Sequence, residues 1–504
     1  MSSPVLDDVL ARWADISALG SASAVLSWDQ ETKMPPKGLA TRGAALSVLA
    51  GVQHDKMTDP ALVEALATAG DDTELDDVER AQVREAQRAV VRATAIPGDL
   101  ARRAAAHQST SVATWQQAKA DDDFDAFAPA LAETIALTRE QAAALVDAGI
   151  ADRPDDARLD ANEPRSTQAE LAPLLTALRD ELAPLVKAAA ASGVVVDESP
   201  ARGEFAIAGQ EALGSAIAAA VGYDFGAGRL DASAHPFTTG FGPGDVRITW
   251  RPDTDDFRPG LFGVLHEVGH AMYEQGLPEA WAGTPLGGAV SLGIHESQSR
   301  LWENQVGRSR AFWQWALPLL HEHLPTASAV TIDTLYPALH TVTPSLTRVE
   351  ADEATYNLHI VARFEIERRM IGEPFDVAEL PDLWNETYQE LLGIRPTGAA
   401  DGVLQDIHWA MGGIGYFPTY TLGNLISAQL FDAASAALGG ADDLMAEGDF
   451  APLLGWLREH VHRHGRHLSA NEIVEQATGR PLTSESFLTY LRATIDDVYG
   501  GGAA

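Results

Sequence analysis

The sequence of 504 residues contains no cysteine. Disulfide bonds, thiolate metal ligands and cysteine nucleophiles are therefore excluded, and any metal ion must be held by His, Asp or Glu side chains. Positive charge is also scarce, because 36 Lys and Arg residues stand against 72 Asp and Glu residues, for a net charge of −36. A surface this acidic repels polyanions, so we expect neither nucleic acid nor an anionic membrane as a partner.

Long apolar runs and repeats are absent as well, and we expect no secretory signal. No apolar run approaches the roughly 20 residues that cross a bilayer. Residues 1–8 are acidic and lead into no apolar segment of the kind found in secretory signals. The chain has no internal repeat, no low-complexity tract and no long linker. We therefore expect a soluble, cytoplasmic protein.

Helical patterns dominate the residues that are present. Apolar residues recur at steps of three and four, as in the series Leu171, Leu174, Leu175, Leu178 and Leu182. Such spacing is typical of a helix with one buried face. Strand patterns are short and occur at 194–196 and at 245–250, where side-chain type alternates with period two. The sequence predicts a mostly α-helical protein with one small β-sheet.

The segment 265–271 carries the motif H-E-x-x-H as His266, Glu267 and His270. The flanking apolar positions 261, 264, 265, 268 and 272 follow a helical stripe, so both histidines project from adjacent turns of one face. Their Cβ atoms are then about 5 to 6 Å apart, which suits a shared zinc ion. The glutamate between them is placed to activate water.

A catalytic zinc ion needs a third protein ligand and one open position. Glu296, in the segment His295-Glu296-Ser297-Gln298, provides a carboxylate 26 residues beyond His270. Prolines and a Gly-Gly pair between the two segments allow the chain to turn back. Glu296 alone is typical of a surface helix, but with the upstream motif it indicates the His, His, Glu ligand set of a zinc peptidase.

Five ordered motifs resemble those of the carboxypeptidase Taq family of metallocarboxypeptidases. Besides H-E-x-x-H and H-E-S-Q, they are D-x-R-x-T at 245–249, R-x-x-A-D at 348–352 and G-x-x-Q-D-x-H-W at 402–409. The similarity covers nearly the whole chain and includes Leu-Ser-Trp-Asp-Gln-Glu-Thr at 26–32. Thr347 stands where the family has isoleucine, and residues 152–164 match poorly.

The resemblance implies a large helical zincin-like fold, in which residues 1–504 form a single domain with two lobes flanking a deep active-site groove. It further implies one divalent metal per chain, zinc or else cobalt or another divalent ion, and a homodimer. The expected activity is the removal of single C-terminal residues from peptides with a free C-terminus, with broad specificity. By the same resemblance we expect Tyr420, assisted by His408, to stabilise the oxyanion, with Tyr416 as the alternative.

A substrate carboxylate also needs a binding group, for which arginine has the suitable bidentate geometry. Arg348 is our candidate. The spacing of Arg348, Asp352, Tyr356, His359 and Arg363 predicts that all five lie on one face of a single helix. In this interpretation Asp352 orients Arg348. His235 and Gln405 are further candidates for the same groove, whereas Asp245 and Arg247 are expected to brace the strand beside the metal helix.

Two other functions stay open on the residues alone. An oligopeptidase that cuts internally would use the same zinc site without a carboxylate-binding arginine. A metal-binding scaffold without turnover would keep the fold, although the intact Glu267 argues against it.

Overall fold

A computed structural model describes residues 4–500 of the chain, and most of them are helical, as predicted. The first ten α-helices are α1 Pro4–Thr32, α2 Leu39–Met57, α3 Pro60–Gly70, α4 Asp77–Ala95, α5 Gly98–Asp121, α6 Phe124–Asp147, α7 Pro154–Leu159, α8 Gln168–Ala191, α9 Ile207–Val221 and α10 Phe257–Gln275. The following ten are α11 Leu292–Arg300, α12 Arg310–His323, α13 Ile332–Leu339, α14 Glu353–Gly372, α15 Leu380–Leu392, α16 Pro418–Leu438, α17 Ala441–Glu447, α18 Ala451–His460, α19 Ala470–Thr478 and α20 Glu485–Tyr499.

One small sheet accompanies the helices. Its strands are β1 Leu230–Ala232, β2 Thr238–Gly240 and β3 Val246–Trp250, and β3 lies between the other two. β3 pairs parallel with β1 and antiparallel with β2. The strand predicted at 245–250 is confirmed as β3. The prediction for 194–196 is wrong, because these residues pair with no strand and Val195 is 93% exposed.

The described residues divide into two compact units. Unit 1 comprises residues 4–93, Asp197–Leu339 and Ile426–Leu482. It contains the sheet, and α10 packs against β3, α9 and α11 at its centre. α10 is almost wholly buried, and its N-terminus is capped by the Asp256 side chain, which accepts a hydrogen bond from the Arg258 amide. The helix thus begins four residues before the predicted apolar stripe.

Unit 2 comprises Thr94–Val196, His340–Leu425 and residues 483–500. α14 lies at its centre, packed against α6, α7, α8 and α15. Polar residues of α14 are buried together with apolar ones, including Thr355, Asn357, His359, Arg363 and Glu367. Because buried polar groups require partners, this helix must carry a dense hydrogen-bond network.

The first helix departs from the sequence expectation in one respect. α1 is long and apolar enough, by length and composition alone, to cross a membrane, because its charged residues are few and lie towards its ends. The same test is passed by helices in globular cores. Within unit 1, Leu6, Val9, Trp13 and Ile16 of α1 pack against buried side chains of α3 and α4.

Candidate metal centre and active site

Three predicted metal ligands converge in unit 1. His266 and His270 project from adjacent turns of α10, with ring centroids 4.8 Å apart. Glu296 lies on α11, whose start is capped by the Ser291 hydroxyl. Glu296 Oε2 lies 3.6 Å from His266 Nε2 and 3.4 Å from His270 Nε2. Two imidazole nitrogens and one carboxylate oxygen therefore face a common point.

This donor set fits a small divalent cation. A tetrahedral ion at about 2.0 to 2.1 Å from each donor keeps the donors roughly 3.3 Å apart. The distances from Glu296 to the two histidines match that value, and all three ligand atoms lie within 4.8 Å of one another. Two nitrogen donors and one oxygen donor suit zinc, and three ligands leave a coordination position for water or substrate.

The other ring nitrogen of each histidine, Nδ1, is hydrogen-bonded. Nδ1 of His266 lies 2.9 Å from Glu303 Oε2, and Nδ1 of His270 lies 2.9 Å from the carbonyl oxygen of His295. Both partners are hydrogen-bond acceptors when Glu303 is ionised, so each Nδ1 carries the proton and donates it. With a cation bound, each Nε2 would be unprotonated and would present its lone pair to the metal.

Arg300 and Glu303 connect the ligands electrostatically. Arg300 Nε donates to Glu296 Oε1 at 2.7 Å, and its Nη1 donates to Glu303 Oε2 at 3.2 Å. Arg308 Nη2 donates to the other oxygen of Glu303 at 3.3 Å. The backbone that presents Glu303 is a π-helical turn, Leu301–Val306, which directly follows α11. Such turns often occur at functional sites because they redirect side chains within a helix.

Burial and these charges set the pKa values of the cluster. Burial raises the pKa of Glu296, but Arg300 and the two histidines outweigh it and hold the pKa well below its usual range. Burial lowers the pKa of His266, yet the carboxylates of Glu296 and Glu303 raise it to about 9. For His270 burial prevails and lowers the pKa to about 3. The carboxylate ligand is therefore ionised and ready to bind a cation.

Glu267 is buried beside this ligand set. Thr238 of β2 places its hydroxyl oxygen 2.6 Å from Glu267 Oε2 and 2.9 Å from the carbonyl oxygen of Glu267. Burial raises the pKa of Glu267, although His266 and the Thr238 hydroxyl act in the opposite direction. A buried carboxylate with a raised pKa is suited to general base catalysis near neutral pH.

A glycine within the motif brings the two ligand helices together. Gly269 packs directly on the backbone of α11, so that an added Cβ atom would lie 2.6 Å from Ser299 Cα. No side chain fits at that distance. The helix that carries both histidines can therefore approach the helix that carries Glu296.

Arg348 lies in unit 2, in a different structural setting from the one predicted. It belongs to a short 3-10 turn, Arg348–Glu350, and the following Ala351 is extended. α14 begins only at Glu353, with Asp352 as its N-cap. The prediction that Arg348 and Asp352 share one helical face with Tyr356 is therefore wrong. The Asp side chain competes for backbone amides, and here it starts a helix instead of continuing one.

The prediction that Asp352 orients Arg348 is also wrong. Asp352 accepts hydrogen bonds from the backbone amides of Thr355 at 2.9 Å and Thr343 at 2.8 Å. The carboxylate partner of Arg348 is instead Asp406, whose Oδ1 accepts from Nη2 at 2.8 Å and from Nε at 3.1 Å. Arg348 Nη1 lies 3.1 Å from the Tyr356 hydroxyl.

A second buried arginine shares Asp406. Arg363 donates through Nε to Asp406 Oδ2 at 2.7 Å and through Nη2 to Gln405 Oε1 at 2.8 Å. Burial raises the pKa of Asp406, but the two arginines outweigh it and hold the pKa far below its usual range. Two guanidinium groups thus face one carboxylate, so Arg348, Arg363 and Asp406 together carry a net charge of +1. Burying an uncompensated charge is costly, so the cluster favours an anionic ligand.

The remaining candidates fall into two places. Gln405, His408, Tyr416 and Tyr420 lie around the arginine cluster of unit 2, where the Tyr420 ring is 5.3 Å from the Arg348 guanidinium carbon. The His408 ring lies 5.5 Å from Tyr416, and burial lowers the pKa of His408 to about 4. His235, by contrast, is exposed just before β2, and its carbonyl oxygen accepts from Ser233 Oγ.

Arg247 and Asp245 brace the strand as predicted. They form a bidentate ion pair with both distances at 2.8 Å, and the guanidinium stacks on the Trp28 ring. Other functional contacts were missed from sequence, namely those of Thr238, Arg300, Glu303 and Asp406. A signal existed for two of them, because Arg300 and Glu303 follow Glu296 by four and seven residues and so share its helical side.

Comparison with known proteins identifies the family. The profile of the carboxypeptidase Taq (M32) metallopeptidases matches residues 8–495. The chain belongs to this family. It is 43% identical to thermostable carboxypeptidase 1 of Thermus thermophilus over 96% of each chain, and 39% identical to the Pyrococcus furiosus protein of the same name over 97% of each. The crystal structure of the M32 carboxypeptidase from Deinococcus radiodurans superposes with a TM-score of 0.95, at 39% identity, and covers 99% of this chain and 100% of that one.

Family membership confirms the helical fold with a small sheet and the class of reaction inferred from the sequence. The enzyme is a metal-dependent carboxypeptidase, a peptide hydrolase. A divalent metal follows from membership and from the ligand set of His266, His270 and Glu296.

Proposed function

We propose that this M32 carboxypeptidase is a zinc enzyme that removes single C-terminal residues with broad specificity. The observation that carries the proposal is the convergence of His266, His270 and Glu296 beside the buried Glu267. When bound, a divalent cation supplies Lewis acidity, which polarises a peptide carbonyl and makes water more acidic. Cobalt and other divalent ions accept the same donors, so metal analysis of the purified protein must accompany activity assays.

Glu267 does the proton transfers in this proposal. Its carboxylate takes a proton from the attacking water and gives it to the leaving amine. The phenolic hydroxyl of Tyr420 donates a hydrogen bond to the developing oxyanion. His408 assists as a neutral group, and Tyr416 is the alternative hydrogen-bond donor. The neutral state of His408 is supported by its lowered pKa.

One experiment tests the proposal against internal cleavage and against a scaffold role. A single peptide is digested with a free C-terminus, with an amidated C-terminus and with an acetylated N-terminus. We expect stepwise shortening of the first and third and only slow residual cleavage of the second. Glu267→Gln should retain metal and lose about 10²- to 10⁴-fold in kcat. Internal cleavage of all three peptides would indicate an oligopeptidase, and full activity of the variant would remove Glu267 from the mechanism.

Arg348 binds the substrate carboxylate in this proposal. Support comes from the positive charge of its cluster and from Asp406 and Tyr356, which fix the guanidinium. Gln405 holds the same segment, because its Oε1 accepts from the Arg348 backbone amide at 3.0 Å. Asp352 holds the backbone amides of Thr343 and Thr355, and His235 contacts the substrate in this proposal.

We predict that Arg348→Ala lowers kcat/KM for free-carboxylate peptides by about 10²-fold or more, the loss expected for a charge-assisted bidentate contact of 2 to 4 kcal/mol. The residual slow cleavage of amidated peptides should change little, because the amide offers no charge to the arginine. Steady-state kinetics on matched peptide pairs provide the measurement. Equal losses on acids and amides would show that Arg348 acts structurally.

The homodimer implied by the resemblance has a candidate surface on α2. No residue of this helix is buried, although it contains Leu39, Val48 and Val52, which are 59%, 66% and 42% exposed. Val48 and Val52 lie four residues apart and so share one face of the helix. Gly51, on the same side, adds space for close approach, since nothing lies within 4 Å of a Cβ built there. Neighbouring exposed apolar side chains of this kind can form an interface.

We predict that the wild-type enzyme sediments as a dimer and that Val48→Glu shifts it to the monomer, because a charge would be buried in the interface. Val195→Glu, at an exposed valine outside α2, serves as the matched control and should remain dimeric. Sedimentation velocity distinguishes the two states. A wild-type monomer would exclude the dimer, and a dimeric Val48→Glu variant would place the interface elsewhere.

A further inference from the structure

Thr238 makes the one hydrogen bond to the Glu267 carboxylate found among residues 4–500. At 2.6 Å the contact is short, as expected when a hydroxyl donates to an ionised carboxylate. It engages Oε2, so Oε1 is the oxygen left for a reacting water molecule. A single donor thus decides which carboxylate oxygen faces the reaction.

The position of Thr238 is fixed from two directions. Its hydroxyl oxygen also lies 2.9 Å from the Glu267 backbone oxygen, so the hydroxyl sits against α10, and its single hydrogen goes to Oε2 as the nearer acceptor. On the sheet side, Thr238 is paired with Ile248 of β3. The preceding residue, Phe237, donates its amide to the buried Thr249 hydroxyl at 2.8 Å. The last residue of the D-x-R-x-T motif therefore anchors the strand that carries Thr238.

A glutamate side chain has three rotatable bonds, and fixing one of its oxygens restricts them all. Without the Thr238 hydroxyl the buried carboxylate loses its donor and can rotate away from the position a general base requires. Misplacement of a reacting group by about 1 Å can reduce the rate by about 100-fold. The metal ligands do not depend on this contact, because their hydrogen-bond partners are Glu303, His295, Ser299 and Arg300.

We propose that Thr238 is a positioning residue that holds Glu267 in its catalytic orientation through Oε2, with Thr249 anchoring the strand. This inference rests on the proposed role of Glu267 as general base. Thr238 contacts neither substrate nor metal in this assignment, and it acts only through Glu267.

The test compares Thr238→Val, which keeps the shape and removes the hydroxyl, with Thr238→Ser, which restores it. Thr239→Val is the matched control, because the adjacent side chain points to the opposite face of β2. We expect Thr238→Val to lower kcat by about 10- to 100-fold, with KM and bound metal within twofold of wild type. Thr238→Ser should recover most of kcat, and Thr239→Val should behave as wild type.

The double variant Thr238→Val/Glu267→Gln separates this inference from the proposed function. It should be no slower than Glu267→Gln alone, since Thr238 has no further role once the base is gone. Wild-type kcat in Thr238→Val, with Glu267→Gln inactive, overturns the positioning role and leaves the general base in place. Activity retained in Glu267→Gln overturns the proposed function itself. If Thr238→Val does not fold, Thr238→Ala is assayed under the same criteria, and a failure of Thr238→Ser to exceed it in kcat counts against the proposal.

Discussion

At the scale of single residues, the metal centre depends on groups that do not touch the metal. Glu303 accepts the Nδ1 proton of His266 and is itself held by Arg300 and Arg308. These contacts fix the tautomer and the ring orientation of the ligand, and they make its Nε2 more basic. The charge of Glu303 also offsets part of the positive charge that Arg300 brings beside Glu296.

We predict that Glu303→Gln weakens metal binding by about 10- to 100-fold. The amide can still accept from Nδ1, but it lacks the charge that polarises the imidazole. Competition with a fluorescent chelator measures the affinity directly, independently of turnover. Glu279→Gln removes an exposed acid from unit 1 and is the control for a general charge effect. Equal affinities of Glu303→Gln and wild type would contradict the assignment.

The convergence of His266, His270 and Glu296 could be predicted from sequence. The two histidines lie one turn apart on the same helix, and a single reversal of the chain after that helix brings Glu296 back towards them. The pairing of Arg348 with Asp406 could not be predicted, because the two are 58 residues apart and no periodicity relates them. The prediction for Asp352 is wrong for a physical reason. Its spacing from Arg348 fits a helical face, but the same residue type is a preferred N-cap, and the extended Ala351 decides between them.

At the scale of secondary structure elements, the site is built where α10 and α11 cross. The apolar periodicity predicted α10 correctly because a buried helix stripe spans many residues. β1 and β2 have only three residues each, which is too short for an alternation to be recognised. The π-helical turn after α11 could not be predicted either, since it depends on packing against α10 and not on residue spacing.

The crossing of α10 and α11 yields a prediction at Gly269. Gly269→Ala should weaken metal binding by about tenfold or more and destabilise the fold by about 1 to 3 kcal/mol, because the methyl group would push the α11 backbone away. Gly263 of the same helix is the matched control, since the nearest atom to an added Cβ is Pro236 Cγ at 4.0 Å.

Gly263→Ala should bind metal as wild type does and gain up to about 1 kcal/mol of stability from its higher helix propensity. Chelator competition and urea denaturation of the metal-free proteins measure the two quantities. If both alanine variants bind metal with wild-type affinity, the close approach at Gly269 does not control the ligand geometry.

At the scale of the whole molecule, both units contain histidines that burial keeps neutral. In unit 1, burial lowers the pKa of His462 to about 3, and its Nε2 lies 2.9 Å from Gln298 Oε1. In unit 2, burial lowers the pKa of His359 well below its usual value and that of His408 to about 4. None of the three is a proposed metal ligand.

These pKa values predict how stability depends on pH. Above pH 6.5 the three histidines are neutral in the folded and unfolded states, and they contribute no pH dependence. Below about pH 6.5 each of these histidines binds a proton in the unfolded chain but not in the folded protein, so each contributes a fall in the free energy of unfolding of about 1.4 kcal/mol per pH unit. The buried Asp352 and Glu367, whose pKa values are raised to about 6 and about 7, contribute in the opposite direction. The fall from His408 ends near its folded pKa of about 4, and that from His462 continues to about 3.

Urea denaturation of the metal-free wild type and of a histidine variant between pH 7 and pH 5 isolates the contribution of that histidine, without an effect of metal release. His462→Gln cannot take up the proton in either state, so its stability should decline less steeply than that of wild type, by about 1.4 kcal/mol per pH unit. The exposed His54, on α2, provides the control, because His54→Gln should leave the slope unchanged. Parallel slopes for wild type and His462→Gln would mean that the folded protein accommodates the imidazolium, and the acid sensitivity would then have to come from the other buried groups.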